Sequence, residues 1–217
     1  MKISVLGTGV VGETIGSRLI ELGYEVKMGS RSAMNEKAVT WAQKMGSKAS
    51  YGTFAEAAAF AGILFNCTKG EAALDVLKLA GEENLSGKVL VDVSNPLDFS
   101  KGMPPSLFVV NTNSLGEELQ AAFPALKVVK ALNTMNCQLM ARPKALANGD
   151  HDVFVCGNDA EAKSSVKKLL GEFGWESSHI IDLGDITNAR GTEQLLPIWI
   201  RLYGTLGTAD FNFKIVK

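Results

Sequence analysis

A glycine-rich turn near the start of the chain has the spacing of a phosphate-binding element. The apolar run ISVLG leads directly into a turn made of Gly7, Thr8, Gly9, Val10, Val11 and Gly12. In a strand-turn-helix unit the first glycine permits a tight turn, the second lets the backbone approach a pyrophosphate, and the third lets the helix pack on the strand. The helix N-terminus then offers free N–H groups to the phosphates. The sequence predicts dinucleotide binding, with a purely structural turn as the alternative.

The end of the next apolar run indicates which dinucleotide is bound. About 20 residues after such a turn an Asp or Glu usually accepts hydrogen bonds from the adenine ribose. This chain has Ser30, Arg31 and Ser32 there instead. A guanidinium flanked by two hydroxyls can pair with a 2'-phosphate, which a carboxylate would repel. The pattern therefore predicts NADP(H) rather than NAD(H), and Lys37 either adds positive charge or is an ordinary surface lysine.

Three polar clusters follow later apolar runs, in the segments NCTKGE, VDVSNPL and KALNTMN. In a doubly wound sheet the cofactor crosses the carboxyl ends of the strands, so loops at these ends should meet it. The residues that stand out are Thr68, Lys69, Ser94, Asn95, Pro96, Ala131, Asn133 and Thr134. The alternative is local capping, because Asn and Thr side chains commonly bond nearby backbone.

The sequence offers no evident acid-base pair. None of Tyr24, Tyr51 and Tyr203 has a lysine four residues later, which excludes the helical Tyr-x-x-x-Lys pair of short-chain dehydrogenases. His151 and His179 are the only histidines, and we interpret both as structural. We therefore assign no catalytic side chain and no metal ligand. A strong nucleotide site without a proton donor suits hydride transfer to a flavin-like ring, because solvent can supply the proton.

The elements that must position these residues alternate along the chain. The apolar runs ISVLG, YEVKMGS, GILFNC, KVLVDVS, KVVKAL and DVFVCG are separated by amphipathic segments. Continuous apolarity suits strands covered on both faces, so we predict an α/β fold with a doubly wound, mostly parallel sheet of the Rossmann type. Residues 95–108 are expected to form a surface loop. Residues 1–185 form the NADP-binding domain, and residues 186–217 form a small helical elaboration that packs on the sheet or a dimer mate, or walls the substrate cleft.

Composition narrows the class of protein. A net charge of −1 provides no positive field for a nucleic acid partner. The three cysteines, Cys67, Cys137 and Cys156, fit neither a disulfide framework nor a zinc site and suggest reduced thiols in the cytoplasm. We find no signal-peptide pattern and no apolar run of 18 residues, so no membrane association is expected.

Five segments of the chain together resemble, in order, the NADP oxidoreductases that use coenzyme F-420, an 8-hydroxy-5-deazaflavin. They are ISVLGTGVVGETIGSRLIELGYEVKMGSRS, VLVDVSNPL, VVKALNTM, VFVCGNDAEAKSSVKKLLGEFGW and LGDITNARGTEQLLPIWI. The resemblance implies reversible hydride transfer between NADP(H) and the deazaflavin, often in a homodimer. It places the phosphate turn at residues 8–11 and the 2'-phosphate contacts at Ser30 and Arg31. The Asn-Pro pair of the family falls on Asn95 and Pro96, and its stretch near the nicotinamide falls on Ala131, Asn133 and Thr134. Thr68-Lys69-Gly70 departs from the apolar or Pro-containing loop of many relatives. The reductase domains of membrane metalloreductases share the nucleotide-binding half, but no membrane segment follows here.

Three functions remain open from the sequence. The first is an NADPH-dependent reductase with a deazaflavin or related ring as its small-molecule acceptor. The second is a small imine or ketone reductase resembling pyrroline-carboxylate reductase in its N-terminal half, although only about 60 residues follow the sixth apolar run. The third is an NADP(H)-sensing module that binds without turnover.

Overall fold

The apolar runs form the centre of one sheet in the computed structural model, which describes residues 1–217. The strands are, in chain order, β1 (Lys2–Leu6), β2 (Glu25–Ser30), β3 (Ala49–Thr53), β4 (Ile63–Asn66), β5 (Val89–Asp92), β6 (Leu97–Asp98), β7 (Ser106–Leu107), β8 (Lys127–Ala131), β9 (Val153–Gly157) and β10 (Ile180–Asp182). Eight of them form the main sheet in the order β10-β9-β8-β5-β4-β1-β2-β3. Within this sheet only the pairing of β8 with β9 is antiparallel. The predicted doubly wound, mostly parallel fold is confirmed.

Ten α-helices cover both faces of this sheet. They are α1 (Val10–Glu21), α2 (Glu36–Met45), α3 (Phe54–Phe60), α4 (Gly70–Ala80), α5 (Glu82–Leu85), α6 (Leu115–Ala122), α7 (Cys137–Ala141), α8 (Ala160–Phe173), α9 (Ala189–Gln194) and α10 (Leu196–Leu206). Helices α1, α2, α7 and α8 pack into one buried cluster, whereas α3, α4, α5 and α6 pack into a second cluster on the other face. The two clusters explain why most residues of the central strands are apolar.

The structure also contains strands that the apolar runs did not predict. Strand β3 has the sequence ASYGT, whose small and polar residues give no apolar run, and it pairs only with β2 at one edge. Strand β10 is three residues long at the other edge. The expectation of a plain loop over 95–108 is wrong in part, because Leu97 pairs with Leu107 and Asp98 with Ser106 in an antiparallel ribbon.

Helix ends follow the local chemistry of the chain. Gly23, Gly46 and Gly174 lie just after α1, α2 and α8, and all three have positive φ, which glycine adopts more readily than other residues. A proline within an apolar helical stretch suggests an interruption at Pro197. It instead lies in the first turn of α10, where the missing N–H costs nothing.

The last residues are tied to the sheet by polar contacts. The Asp152 N–H donates to the Phe213 carbonyl at 2.9 Å, and the Asn212 Nδ2 donates to the Asp152 carbonyl at 2.9 Å. Asn136, at the start of α7, donates to the Ala209 carbonyl. These contacts hold the residues after α10 against the starts of β9 and α7. No helix in the structure has the length and apolar character needed to cross a bilayer.

Asp182, the last residue of β10, makes a testable contribution to stability. Burial alone would raise the pKa of its carboxyl, but hydrogen bonds from Lys163, the Gly184 N–H and Lys167 outweigh it and lower the pKa to about 2. Because the folded pKa lies below the ordinary value of 3.8, the stabilisation is complete at neutral pH and is lost as the pH falls through the folded pKa. We therefore expect Asp182→Asn to lower the free energy of unfolding at pH 7, and the deficit to shrink at the lowest pH at which the protein stays folded.

Urea unfolding of both proteins between neutral and acid pH measures this deficit. Asp210→Asn is the matched control, because Asp210 is exposed and forms no ion pair. A deficit that stays constant over the whole range would contradict the assignment.

Candidate active site

The phosphate turn connects β1 to α1 and is shaped by close backbone packing. Gly7 has φ of +119°, and a Cβ there would lie 2.9 Å from the Cys67 carbonyl oxygen. A Cβ on Gly12 would lie 2.1 Å from the Gly7 carbonyl oxygen, so α1 approaches the turn more closely than any side chain allows. At Gly9, the N-cap of α1, nothing lies within 4 Å of an added Cβ. The turn is thus packed from below and open on its outer face.

The open face carries free hydrogen-bond donors. The N–H groups of Thr8 and Gly9 donate no hydrogen bond within the chain. Val10, at the start of α1, is 65% exposed although it is apolar. Unpaired N–H groups at a helix N-terminus bind phosphate oxygens readily, so these residues fit a bound pyrophosphate.

Two glycine substitutions should therefore have different effects. We expect Gly12→Ala to destabilise the fold by about 1–3 kcal/mol, because the methyl group must displace the backbone of the turn. Gly9→Ala should leave stability nearly unchanged and weaken NADPH binding about tenfold, because its methyl group would occupy the open face that a phosphate must approach.

Thermal unfolding and NADPH titration of the two variants separate these effects. Gly171→Ala, in α8, is the control, because an added Cβ there also meets nothing within 4 Å. Tight NADPH binding by Gly9→Ala would exclude the outer face as the phosphate site.

The end of β2 lies beside this turn, as the predicted ribose site requires. The Gly7 N–H donates to the Gly29 carbonyl at 3.0 Å, one residue before Ser30. Ser30 is buried, and its hydroxyl donates to the Ser32 carbonyl at 2.6 Å, so it shapes the loop. The side chains of Arg31 and Ser32 are exposed and form no hydrogen bond or ion pair in the chain. Lys37 is likewise exposed at the start of α2.

A cavity of about 360 Å³ opens where the winding of the sheet reverses, between β1 and β4. The predicted residues Val11, Thr68, Lys69, Asn95 and Asn133 line it together with Ser94. The other apolar residues that line it are Val93, Leu97, Phe99, Met135, Met140, Leu196 and Trp199. The C-terminal elaboration, through α10, therefore walls this cavity.

The two asparagines of the cavity are bonded to each other. Asn95 Nδ2 donates to the Asn133 carbonyl at 2.8 Å, and Asn133 Nδ2 donates to Asn95 Oδ1 at 2.9 Å. Thr68 donates its hydroxyl proton to Asn66 Oδ1 at 2.6 Å. The pair joins the loops after β5 and β8, so these side chains hold the polar wall together. Pro96, Ala131 and Thr134 are buried next to the cavity residues but do not line it.

Trp199, which lines the cavity, makes aromatic contacts with two other residues of the C-terminal elaboration. The Trp199 indole stacks on Tyr203 at 5.8 Å between ring centroids and packs against Phe211 at 5.2 Å. The only titratable side chains that line the cavity are Lys69 and Glu71, which lie 3.7 Å apart and are both well exposed. The cavity thus presents amide, hydroxyl and apolar groups to a ligand.

A buried charge network beneath the cavity was not predicted from the sequence. Lys130 Nζ lies 2.7 Å from Asp92 Oδ2 and 2.7 Å from Glu193 Oε1, and all three side chains are within 2% of complete burial. Glu193 also accepts hydrogen bonds from the Leu115 and Gly116 N–H groups at the start of α6. Burial alone would lower the pKa of Lys130, but the two carboxylates outweigh it and raise the pKa. We call these three residues the buried triad.

One signal in the sequence indicates part of this network. Asp92 and Lys130 are charged residues inside otherwise apolar runs, VLVDVS and KVVKAL, and a charge in a central strand needs a partner. Nothing in the sequence indicates that Glu193 completes the triad.

Both histidines lie away from the cavity. His151 is buried, its Nε2 lies 2.9 Å from the Pro143 carbonyl oxygen, and Asn212 Nδ2 lies 2.8 Å from its Nδ1. His179 Nδ1 lies 2.8 Å from Asp152 Oδ1. These contacts hold the C-terminal residues, which agrees with the structural interpretation of both side chains. The structure contains no cluster of three or more His, Cys, Asp or Glu side chains that could hold a metal ion.

Comparison with known proteins identifies the family of this chain. The family described as "NADP oxidoreductase coenzyme F420-dependent" matches residues 2–96, which include the phosphate turn, the end of β2 and Asn95. The whole chain is 52% identical to a solved structure from Arthrobacter sp. FB24, of a protein proposed to be an F420-dependent NADP reductase. The match covers 100% of both chains with a TM-score of 0.94. The chain belongs to this family. Its members are NADP-linked oxidoreductases.

Two further relatives are partial matches. The chain is 33% identical over 132 residues to the F420-dependent NADP reductase of Methanocaldococcus jannaschii, which covers 58% of this chain and 57% of that protein. It is 30% identical over 203 residues to metalloreductase STEAP3 of Rattus norvegicus, which covers 91% of this chain and 38% of that protein. The chain thus matches little more than half of the first relative and less than half of the second.

The likeness to imine reductases concerns the fold alone. The imine reductase of Streptomyces aurantiacus is 18% identical, with a TM-score of 0.65, and the match covers 64% of its chain. This similarity supports the Rossmann architecture.

Proposed function

We propose that this protein transfers a hydride between NADP(H) and a planar deazaflavin or flavin-like acceptor. The observation that carries the proposal is the cavity of about 360 Å³, which joins the phosphate turn, through Val11, to an apolar wall of Met, Phe and Trp side chains. A bound nicotinamide supplies the hydride chemistry, so the protein has to orient two rings and exclude competing reactions.

The residues present fit NADP(H). The free Thr8 and Gly9 N–H groups and the N-terminus of α1 would hold the pyrophosphate, and the exposed Arg31 guanidinium would pair with the 2'-phosphate. The loops after β4, β5 and β8, which carry Thr68, Asn95 and Asn133, would meet the nicotinamide end. The family of the chain supports this cofactor.

The composition of the cavity supports a flavin-like acceptor. No His, Tyr, Cys or Asp lines it, and its two titratable side chains, Lys69 and Glu71, are exposed to solvent. Reduction of a ketone requires a positioned proton donor, whereas a delocalised ring can take its proton from water. The Trp199 indole and neighbouring apolar side chains offer a surface on which a planar ring can lie.

Four acceptors distinguish this proposal from the alternatives. NADPH absorbance is followed with F-420, FMN, a ferric chelate and pyrroline-carboxylate in turn, and oxidation with F-420 is the expected result. Oxidation by pyrroline-carboxylate alone would instead identify an imine reductase. Tight NADPH binding without oxidation by any of the four would identify a sensor.

A variant of the apolar wall tests the acceptor site separately. We expect Trp199→Ala to raise the KM for the acceptor about tenfold and to leave NADPH affinity within twofold, because the indole is the largest apolar side chain that lines the cavity and offers a planar surface to a ring. Trp199→Phe, which keeps an aromatic face, should restore most of the loss. The proposed acceptor position is wrong if Trp199→Ala weakens NADPH and the acceptor equally.

We also propose that the protein acts in the cytoplasm as a homodimer. The support for the first is the set of three free cysteines without a disulfide. The second rests on the exposed Ile198, Tyr203 and Leu206 side chains of α10. Analytical ultracentrifugation tests the dimer.

A further inference from the structure

The buried triad holds one particular peptide group of the cavity. Lys130 Nζ donates to the Ser94 carbonyl oxygen at 2.6 Å, in addition to its contacts with Asp92 and Glu193. Ser94 and Asn95 both line the cavity, so the peptide that joins them forms part of its polar wall. The fully buried ammonium group therefore lies on the protein side of this peptide.

The opposite side of the same peptide carries an unused donor. The peptide between Ser94 and Asn95 is trans, and in a trans peptide the C=O and N–H bonds point in opposite directions. With the carbonyl directed at Lys130, the Asn95 N–H is directed away from the triad. It donates no hydrogen bond to any acceptor in the chain. Because nearly all backbone N–H groups in folded proteins are partnered, this donor indicates a ligand or solvent partner.

Several contacts prevent this peptide from turning over. Asp92 Oδ1 accepts hydrogen bonds from the Ser94 N–H at 3.2 Å and from the Ser94 hydroxyl at 2.7 Å. The Asn95 side chain is bonded to Asn133 on the next loop. The Asn95 carbonyl packs so closely against Gly70 that a Cβ there would lie 2.0 Å from the carbonyl oxygen. Lys130 Nζ is the one partner of the Ser94 carbonyl oxygen within the chain, whereas these other contacts hold the groups on either side of the peptide.

We propose that Lys130 is a positioning residue that fixes the Ser94–Asn95 peptide so that the Asn95 N–H donates to the carboxamide oxygen of the bound nicotinamide. This inference rests on the proposed function. The phosphate turn, through Val11, and Asn95 line one cavity. The α10 side chains Leu196 and Trp199, which are proposed to contact the acceptor, line it as well, so we assign the strand-end loops to the nicotinamide. A hydrogen bond to the carboxamide would set the rotation of the ring before the acceptor enters.

Two variants remove the lysine. Lys130→Met leaves two buried carboxylates without their cation. The double variant Asp92→Asn/Lys130→Met is the safer form, because the introduced amide would still accept hydrogen bonds at its Oδ1 and Glu193 keeps its two N–H donors from α6. Lys168→Met is the matched control, since Lys168 is exposed on α8 and forms no ion pair.

The first experiment compares NADPH with adenosine 2',5'-bisphosphate, which lacks the nicotinamide. We expect the double variant to bind NADPH about tenfold more weakly and the bisphosphate within twofold of wild type, as the loss of one hydrogen bond predicts. The control should bind both ligands as wild type does. Equal weakening of the two ligands, or no weakening of either, would overturn the inference.

The second experiment observes the donor directly. In ¹⁵N-labelled wild-type protein the Asn95 amide proton should move downfield on saturation with NADPH and stay in place with the bisphosphate. In the double variant the NADPH-induced shift should be lost, whereas a merely structural role of the triad would leave it. If wild-type protein binds neither ligand, the proposed function fails; if it binds both and the Asn95 amide does not respond to NADPH, only the inference fails.

Discussion

Replacing Arg31 with alanine is expected to weaken NADPH binding by about 1.5–3 kcal/mol, or roughly 10- to 150-fold, and to leave NADH binding nearly unchanged. Arg31 is exposed at the end of β2 and has no partner in the chain, so its guanidinium is free to meet an anion. NADPH and NADH differ only in the 2'-phosphate, which makes their difference specific to this contact. Isothermal titration with both coenzymes measures it.

The dependence of coenzyme binding on ionic strength and a control variant make this test more specific. The NADPH preference of wild type should fall as ionic strength rises, because an exposed pair of charges is screened, and the alanine variant should show little of this dependence. Arg201→Ala is the control, since Arg201 is exposed on α10 and forms no ion pair. Equal losses for both coenzymes would make Arg31 structural. Tighter binding of NADH than NADPH by wild type would reject the cofactor assignment.

Lys130→Met is expected to lower the free energy of unfolding by about 3–5 kcal/mol, the typical cost of removing one partner from a buried ion pair. The Lys130, Asp92 and Glu193 side chains are almost completely buried, so the two carboxylates left behind have no route to solvent. A domain of this kind is stable by only about 5–15 kcal/mol, which makes this a large fraction of the total. Urea unfolding at pH 7 measures it.

The double variant shows whether the loss comes from unpaired charge or from lost packing. Asp92→Asn/Lys130→Met should recover part of the deficit, because only Glu193 remains charged and it bonds the N-terminus of α6. Lys168→Met should change stability by less than about 0.5 kcal/mol. A Lys130→Met protein as stable as wild type would show that the triad contributes nothing to folding.

The apolar runs predicted the six strands β1, β2, β4, β5, β8 and β9, because strands covered on both faces are recognisable without knowledge of their neighbours. They did not predict β3 and β10. Edge strands have one neighbour and more solvent contact, so small and polar residues are tolerated there and the pattern is lost.

The residues of the candidate site were likewise predicted only in part from the sequence. Thr68, Lys69, Asn95 and Asn133 were predicted from their positions after buried strands, and the structure places all four on one cavity with Val11. The sequence left open which surface residues 186–217 cover, since Leu196 and Trp199 follow the last predicted strand by about 40 residues. In the structure these two residues of α10 line the cavity together with the loops that follow the strands.

The sequence by itself indicated the phosphate turn and the cation where a carboxylate is usual, because each depends on residues close together along the chain. The alternation of apolar runs and amphipathic segments indicated the doubly wound sheet. Only the tertiary structure decided which buried charges meet. Asp92, Lys130 and Glu193 are separated by 38 and 63 positions and come from two strands and a C-terminal helix. Their pairing depends on long-range packing, since the cost of burying each charge is offset only when all three are brought within hydrogen-bonding distance.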